Sequence, residues 1–263
     1  MTVTSRSGDL GRRIVVVGAS SGLGRCIGVR LGSTGARVAL LARREDALAN
    51  ACKEAGNDAV PIRCDVTDEA SVGEAIDAAA DALGGIDGLV YSTGIGTPHP
   101  IEETSAELWR RSFDTNVVGA SLATAAALPH LRASNGVAAY LSSVSGGFTP
   151  PWPGMANYGV SKAALERLIE SWRAEHPDVG FTTVVVGDCA GGEGDAGTGF
   201  ASDWNGDHAV RFAPQWIQRG YMTPGALLDV EELLQAVDTV MAVGGSATLA
   251  RVIVTPRIPR SEE

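Results

Sequence analysis

The sequence predicts a doubly wound α/β fold, in which a seven-stranded parallel sheet carries helices on both faces. Three observations indicate it: strand-length apolar runs recur along the chain, Ala-rich helical stretches separate them, and a glycine-rich turn follows the first run. Continuous apolar runs are typical of parallel strands that are buried on both faces. The seven predicted strands span residues 13–18, 37–42, 59–64, 88–92, 137–141, 181–186 and 250–254.

Helical stretches fill the spaces between these strands. The segment 69–83 shows the pattern clearly, because Val72, Ile76 and Leu83 fall on one face together with alanines. Strands that alternate with helices in this way form parallel sheets. The six predicted helices span about residues 22–34, 45–55, 68–83, 104–133, 157–175 and 230–243.

Two segments interrupt this alternation. Residues 145–155 (SGGFTPPWPGM) contain too much proline and glycine for regular structure. Residues 187–229 open on a glycine-rich run, and a loop of this length is typically a functional lid, so we predict that it covers the substrate. No repeat or shift in composition divides the chain, and residues 1–263 are predicted to form one domain, with residues 1–12 flexible.

The composition excludes several classes of function. Hydrophobic residues make up 44% of the 263 residues and charged residues 20%, which suits a globular domain rather than a disordered chain. The net charge of −10 disfavours binding to nucleic acid or to a membrane surface. The polar segment 1–13 and four dispersed cysteines indicate a cytoplasmic protein with reduced thiols. The four histidines show no metal-ligand spacing, so no metal site is predicted.

A glycine-rich turn joins the first predicted strand to the first helix. Glycines at such a turn allow backbone N–H groups to approach a pyrophosphate, and the positive end of the helix dipole favours its charge. Their spacing is G-x-x-x-G-x-G rather than the commoner G-x-G-x-x-G. The residues of the turn predicted to bind a dinucleotide are Gly18, Ser20, Ser21, Gly22, Leu23 and Gly24.

The same turn also satisfies G-x-S-x-G, the nucleophile elbow of α/β-hydrolases, with Ser20 as the nucleophile and a late histidine such as His208 as the base. The elbow, however, normally follows several strands rather than the first one, and the chain has no HGGG-type oxyanion loop. A serine hydrolase is therefore kept only as an alternative function.

A tyrosine and a lysine lie four residues apart at the start of the predicted helix 157–175. This spacing puts Tyr158 and Lys162 on the same helix face. The chain contains only two lysines and four tyrosines, which makes a chance pairing of this kind rare. Together with the glycine turn, the pair resembles the short-chain dehydrogenase/reductase family, and the resemblance implies a single-domain Rossmann fold.

The resemblance covers nearly the whole chain, with its motifs in the same order. Ser143, in the segment LSSVSG, matches the catalytic serine of the family, and Asn116 matches its helix asparagine. The resemblance thus implies a catalytic tetrad of Asn116, Ser143, Tyr158 and Lys162. It also implies contacts with the cofactor at Asp65, Val66, Ser92, Thr93 and Gly94.

The chain departs from the family pattern at three places. Ser92 and Thr93 replace the usual Asn-Ala pair, which is expected to alter the hydrogen bonds that brace the fourth strand. Ser143 lies fifteen residues before Tyr158, about two more than is usual in the family. Val186-Gly187 replaces a Pro-Gly turn that holds the nicotinamide carboxamide, so Gly187 is a cofactor candidate whose contact has changed.

The resemblance assigns chemistry to the tetrad. Free tyrosine has a pKa near about 10, which is too high for efficient acid/base catalysis at neutral pH. Lys162 is expected to lower the pKa of Tyr158 through its charge and to bind the nicotinamide ribose. Ser143 is expected to orient the substrate carbonyl, and Asn116 to hold a water that links Lys162 to solvent.

The end of the second strand predicts the cofactor. An acidic residue there would bind the adenine ribose of NAD, whereas an arginine accommodates the 2′-phosphate of NADP. Residues 41–45 read LARRE, with no carboxylate at the strand tip. Arg43 is the main candidate for the phosphate, and Arg44 or Arg25 is the second. NADP(H) is predicted, and NAD(H) is the less favoured cofactor.

The predicted activity is that of a ketoreductase, which interconverts a ketone and a secondary alcohol. Eight of the fourteen aromatic residues fall at 148–158 or 200–221, segments that border the substrate cleft in the family, so a small apolar or cyclic substrate is expected. Ala-rich helices at 104–133 and 157–175 match the region where family members pair, which implies a homodimer or homotetramer. The main alternative is a catalytically silent NADP-binding or sensing protein.

Overall fold

A computed structural model describes residues 11–222 and 225–257 and confirms the doubly wound sheet. The strands are β1 (Arg13–Val17), β2 (Arg37–Ala42), β3 (Val60–Arg63), β4 (Gly88–Tyr91), β5 (Val137–Ser143), β6 (Gly180–Val186) and β7 (Arg251–Val254). All pairs are parallel, in the order β3-β2-β1-β4-β5-β6-β7. The order reverses between β1 and β4, which opens a crevice at the carboxyl ends of these strands.

Eight α-helices surround the sheet in the described part of the chain. They are α1 (Gly22–Ser33), α2 (Glu45–Ala55), α3 (Glu69–Leu83), α4 (Ala106–Phe113), α5 (Gly119–Ser134), α6 (Ala156–Glu175), α7 (Gly206–Gln218) and α8 (Val230–Met241). The helices α1, α2 and α8 cover one face, whereas α3, α5 and α6 cover the other. None of the described helices is long and apolar enough to cross a membrane.

The two-sided core explains the continuous apolar runs. In β1, Ile14 and Val16 pack with α1 and α8, while Val15 and Val17 pack with α3. All four side chains are almost completely buried. Because successive strand residues point to opposite faces, a strand between two helical layers needs an apolar residue at every position.

The predicted single helix at 104–133 is two helices joined by a π-helical turn, Asp114–Val118. Such turns insert one extra residue into a helix and are frequent at functional sites. The predicted lid at 187–229 also differs, because it contains α7. Asn205 caps this helix through hydrogen bonds from the backbone N–H groups of Asp207 and His208. Of the segment 1–12 that was predicted to be flexible, residues 1–10 lie outside the described residues.

Candidate active site

The carboxyl ends of β1, β4 and β5 bring the predicted site residues to one edge of the sheet. The glycine turn follows β1, residues 92–96 follow β4, and Ser143 is the last residue of β5. The helix α6 begins beside them and carries Tyr158 and Lys162 in its first two turns. Positions far apart in the sequence are thus assembled at the crevice of the sheet.

The turn after β1 requires glycine. Gly18 has a φ of +91°, and a Cβ atom there would lie 2.6 Å from Thr93 Oγ1. A Cβ atom at Gly24 would collide with Ser92 Oγ. The Ser92 hydroxyl donates to the Val17 carbonyl at 2.6 Å. Ser92 therefore ties the end of β4 to the end of β1, beneath the turn.

The start of α1 offers an anion site. Ser21 is the N-cap residue, and its side chain makes no capping hydrogen bond among the described residues. The first N–H groups of a helix lack intrahelical partners, and the dipole favours an anion at this end. Gly22, Leu23 and Gly24 therefore fit a pyrophosphate. The lid borders this cradle, since a Cβ atom at Gly22 would lie 3.3 Å from Thr198 Cα.

Arg44, rather than Arg43, reaches the glycine turn. Its Nη2 donates to Ser20 Oγ at 3.0 Å and to Ser21 Oγ at 2.5 Å. The main chain after β2 bends at Arg43, and both arginines are exposed. The arginine and the two hydroxyls form a cluster of donors at the end of β2. This is the place predicted for the 2′-phosphate on the adenine ribose of NADP.

Arg25 is unavailable to a phosphate, which corrects its place among the candidates. Its side chain is only 3% exposed. The guanidinium donates to the Ala47 carbonyl at 3.1 Å and to Glu54 at 2.7 Å. These bonds join α1 to α2, so the role of Arg25 in this structure is to hold two helices together.

Asp65 and Val66 lie beyond the end of β3. Asp65 accepts hydrogen bonds from the backbone N–H and the hydroxyl of Thr67. Burial acts to raise the pKa of Asp65, but these bonds and the charges of Arg43 and Arg63 outweigh burial and lower the pKa. Val66 is buried. The pair thus presents a charged carboxylate next to an apolar surface.

Ser143 lies beside Tyr158, close enough for its hydroxyl to act on the pKa of the tyrosine. Ser143 Oγ accepts from the backbone N–H of Ser145 at 3.2 Å and from its hydroxyl at 3.0 Å. Burial raises the pKa of Tyr158 to about 12, although the neighbouring Ser143 hydroxyl acts in the opposite direction. Desolvation of the phenolate dominates in the protein without cofactor, and the lowering of this pKa by Lys162 together with an oxidised nicotinamide stays a prediction.

Lys162 lies behind Tyr158 and is buried. Its Nζ donates to the Leu141 carbonyl at 2.7 Å and lies 5.7 Å from the centroid of the Tyr158 ring. Burial lowers the pKa of Lys162 to about 8. Gly94 makes room for this side chain, since a Cβ atom there would lie 2.9 Å from Nζ.

Asn116 lies in the π-helical turn and joins three elements. Its Oδ1 accepts from the Ile95 N–H, and its Nδ2 donates to the Ile95 carbonyl and to Ser161 Oγ, each at 2.8 Å. Both amide hydrogens are thus used within the protein, and a relay water would have to bond to Oδ1. Sequence analysis missed Ser161, although its position between Tyr158 and Lys162 was a usable signal.

Gly187 follows β6 and packs against the segment after β7. Its N–H donates to the Val254 carbonyl at 2.9 Å, and a Cβ atom at this position would lie 2.8 Å from Pro256 Cδ. The next residue, Asp188, is half-buried, and burial raises the pKa of its carboxyl group. The turn is therefore fixed by its hydrogen bond to β7, whereas the family pattern has a proline at the position of Val186.

Aromatic residues of the lid cover Tyr158. The Phe200 ring packs on the Tyr158 ring with centroids 4.7 Å apart. Trp204 packs against Phe200 and donates its indole N–H to the Gly96 carbonyl at 2.8 Å. This aromatic cluster makes the entrance to the site apolar. Its other large members are Trp152, Met155, Phe212, Trp216, Tyr221 and Met222.

Comparison with known proteins identifies relatives by sequence. The family model described as short chain dehydrogenase matches residues 12–194. A region of 183 residues, 67% of this chain, is 34% identical to 11-beta-hydroxysteroid dehydrogenase A of Sesamum indicum, and it spans only 52% of that protein. The chain is also 34% identical over 182 residues to 3beta-hydroxysteroid dehydrogenase 1 of Eggerthella lenta, with 67% of this chain and 69% of that protein covered. A 2,5-dichloro-2,5-cyclohexadiene-1,4-diol dehydrogenase of Sphingobium indicum is 36% identical over 183 residues, with 67% and 72% covered.

Solved structures agree with the fold. A short-chain type dehydrogenase/reductase from Mycobacterium marinum superposes with a TM-score of 0.78 at 26% identity, with 97% of each chain covered. An alcohol dehydrogenase from Thermococcus sibiricus, complexed with 5-hydroxy-NADP, gives 0.77 at 23% identity, with 96% of this chain and 99% of that chain covered. The family match covers well over half of the chain, and the glycine turn and the Tyr-Lys pair fall within it. The chain therefore belongs to the short-chain dehydrogenase/reductase family of oxidoreductases.

Proposed function

We propose that this protein is an NADP(H)-dependent oxidoreductase that interconverts a ketone and a secondary alcohol on a small apolar or cyclic substrate. The observation that carries the proposal is the placement of Ser143 beside Tyr158, with Lys162 Nζ 5.7 Å from the Tyr158 ring, at the crevice that holds the glycine turn. This arrangement supplies two hydroxyls for one substrate oxygen and a cation next to the acid.

The mechanism follows from these three side chains. The substrate oxygen accepts hydrogen bonds from the Ser143 and Tyr158 hydroxyls, and in reduction Tyr158 gives it a proton. A bound nicotinamide supplies the hydride for reduction or receives it in oxidation. The Lys162 ammonium stabilises the phenolate that remains, in a buried setting where its charge acts strongly. Asn116 positions the loop after β4 through Ile95.

The residues present fit a dinucleotide with a 2′-phosphate. The glycine turn leaves no room for side chains, and the start of α1 has N–H groups for a pyrophosphate. Arg44, Ser20 and Ser21 supply donors for the 2′-phosphate, and Arg43 adds positive charge nearby. Lys162 and Tyr158 would bind the nicotinamide ribose, and Gly187 would border the nicotinamide. A lone ribose hydroxyl needs no such cluster of donors, which favours NADP(H) over NAD(H).

The substrate class is supported by the lid and by the relatives. The aromatic cluster over Tyr158 favours an apolar molecule over a highly charged one. The names of similar proteins specify hydroxysteroids and a chlorinated cyclic diol. The carboxyl groups of Asp188 and Glu193 lie in the lid segment, and their negative charge disfavours anionic substrates.

The test is a screen of cyclic ketones and alcohols that follows NADPH absorbance, with Tyr158→Phe as the diagnostic variant. Loss of the hydroxyl should lower turnover by at least about 100-fold, the scale of losing a positioned acid/base group. NADPH affinity should change far less than turnover, because Lys162, Arg44 and the glycine turn keep their places in the cofactor site. Tyr221→Phe makes the same chemical change elsewhere in the aromatic cluster and should retain most of the activity.

Two other outcomes would redirect the assignment. Wild-type protein that binds NADPH but converts no carbonyl or alcohol would indicate the silent binding protein. Hydrolysis of an ester that Ser20→Ala abolishes would indicate the serine hydrolase. Under the present proposal, Ser20→Ala weakens NADPH binding only and leaves turnover at saturating cofactor within a few-fold.

A further inference from the structure

Two histidines that are 109 positions apart in the sequence meet where the lid contacts the loop after β4. His99 lies in that loop, Glu103 ends a 3₁₀ turn at Ile101–Glu103, and His208 lies in the first turn of α7. The imidazole rings pack edge to face with centroids 4.3 Å apart. One potential ligand atom from each of the three residues lies within 4.8 Å of the others.

The protein orients the ring of His208 and fixes the main chain of His99. His208 Nδ1 lies 3.0 Å from the Pro98 carbonyl, which fixes Nδ1 as the donor and leaves Nε2 as the nitrogen available to a metal. The His99 N–H of the main chain donates to the Gly154 carbonyl at 2.8 Å. A backbone carbonyl that orients a histidine ring is the usual outer partner of a metal-binding histidine.

His99 also contains a polar atom that the protein does not satisfy. Its Nδ1 is buried and has no hydrogen-bond partner among the described residues. Buried polar atoms without a partner are rare and call for an explanation such as an ion. The nearby carboxylate is paired only loosely, since Glu103 lies 4.0 Å from Arg211 and both side chains are more than half exposed. Exposed pairs of this kind are weak.

We propose that His99, Glu103 and His208 form a site for a divalent transition metal of the zinc class. Two imidazoles and one carboxylate suit Zn²⁺, Co²⁺ or Ni²⁺, whereas Mg²⁺ and Ca²⁺ favour oxygen ligands. The exposed Glu103 side chain brings its carboxylate to the ion by rotating. Water fills the coordination positions of the ion that the three residues leave open. This site is independent of the proposed redox chemistry.

The metal would fasten the lid. His99 and Glu103 belong to the wall of the cleft, whereas His208 belongs to α7, so one ion bridges the two. The same junction already contains the bond from Trp204 to Gly96 and the one between His208 and Pro98. Metal binding stabilises the closed position of the lid relative to an open one, because opening would separate His208 from His99 and Glu103.

The experiment uses tag-free protein that has been stripped of metal and titrated with Zn²⁺ by calorimetry. We expect one ion per chain. His99→Asn and His208→Asn should each weaken binding by at least about 100-fold, since losing even an outer partner costs about 10- to 100-fold. Glu103→Gln, at an exposed position that folding tolerates, should weaken it by at least about 10-fold. His130→Asn and His176→Asn change the two other histidines of the chain and should leave affinity unchanged.

Two further measurements complete the test. The Co²⁺ form should show ligand-field bands without a thiolate charge-transfer band, which excludes the cysteines as ligands. Zn²⁺ should slow proteolysis within residues 187–222 in wild type and not in His208→Asn. Absent binding, binding that survives all three ligand variants, or a thiolate band would overturn the site. Binding through these residues without protection from proteolysis would overturn its role in holding the lid.

Discussion

At the residue scale, Lys162 places a positive charge in the core at a cost in stability. Burial lowers its pKa from 10.5 to about 8, a difference that corresponds to about 3 kcal/mol. The unfolded chain keeps the proton up to the higher pKa, whereas the folded protein releases it above about 8. Because the unfolded state binds more protons in this window, this residue makes stability rise between pH 8 and 10.5.

Replacing the lysine should therefore separate stability from activity. Lys162→Met is expected to abolish turnover and to raise the free energy of unfolding at pH 7, by up to about 3 kcal/mol. Wild type should regain this difference as the pH rises from 8 to 10.5. Urea unfolding at a series of pH values measures this difference. The cysteines, which titrate in the same pH range, contribute equally to both proteins and cancel in the comparison.

The chain offers a matched control, since Lys53 is the other lysine and lies exposed on α2. Lys53→Met should shift stability little and without this pH dependence. Identical pH profiles for wild type and Lys162→Met would contradict the assigned burial cost.

A second residue-scale prediction concerns the choice of cofactor. Arg44→Ser should weaken NADPH binding by about 10- to 100-fold, because a hydrogen bond to a charged group is worth about 1.5–3 kcal/mol. NADH binding should change little. Arg43→Ser should have a smaller effect, since Arg44 is the one that contacts Ser20 and Ser21. Arg43→Asp should still turn the preference toward NADH, because its carboxylate repels the phosphate.

Fluorescence titrations of both cofactors against the three variants provide the measurement. If wild type binds NADH at least as tightly as NADPH, both arginines lose their assignment. The sequence pointed to both arginines and ranked Arg43 first. Which of the two adjacent, exposed side chains meets Ser20 and Ser21 depends on how the chain after β2 passes the glycine turn.

At the element scale, one side chain joins the π-helical turn to the loop after β4 and to α6. Asn116→Ala removes three hydrogen bonds and leaves the N–H and carbonyl of Ile95 without these partners. We expect a loss of about 2–4 kcal/mol in the free energy of unfolding, since each unsatisfied buried group costs about 1–3 kcal/mol. Urea denaturation checks this value.

The comparison variant is Asn157→Ala, another buried asparagine, whose amide donates one hydrogen bond, to the Thr97 carbonyl. It should cost clearly less. Equal losses for the two variants would mean that Asn116 does not brace the loop after β4 in the way its geometry indicates.

Elements that a local sequence pattern determines could be predicted, whereas those that depend on contacts across the fold could not. All seven strands were predicted. The five inner strands are apolar because both of their faces are buried, whereas the edge strands β3 and β7 are only partly buried and were found from shorter apolar runs. The π-helical turn was not predicted, and the contacts of its Asn116 side chain are made across the fold, with Ile95 and Ser161. The helix α7 was missed because Pro214 and the glycines before it suggest a loop, although Asn205 and the pair Phe212 and Trp216 were signals for an amphipathic helix.

At the scale of the whole molecule, the sheet explains why the site was predictable in outline. Parallel strands deliver every carboxyl end to one edge, so motifs in the right order imply a shared site. The contact of His99 with His208 was not predictable, because it depends on how the lid folds back. The raised pKa of Tyr158 also depends on burial that only the assembled fold creates.

Assembly is the last property that belongs to this scale, and the helices predicted to pair expose apolar side chains. Val118, at the end of the π-helical turn, is 46% exposed, and Val160 of α6 is 49% exposed. Small side chains beside them allow close packing of helices. Pairing across a two-fold axis would bury both valines of each subunit. We therefore predict a homodimer or homotetramer by light scattering at micromolar concentration.

A charge placed in that interface should separate the subunits. Val160→Glu is expected to give a monomer, because a carboxylate buried against its symmetry mate is left unpaired. Val210→Glu makes the same change on the lid helix, where valine is 75% exposed, and should leave the mass unchanged. A wild-type monomer would refute the prediction outright. An oligomer that tolerates Val160→Glu would instead move the interface away from α6, since a packed two-fold contact cannot hold two facing carboxylates without a large loss of affinity.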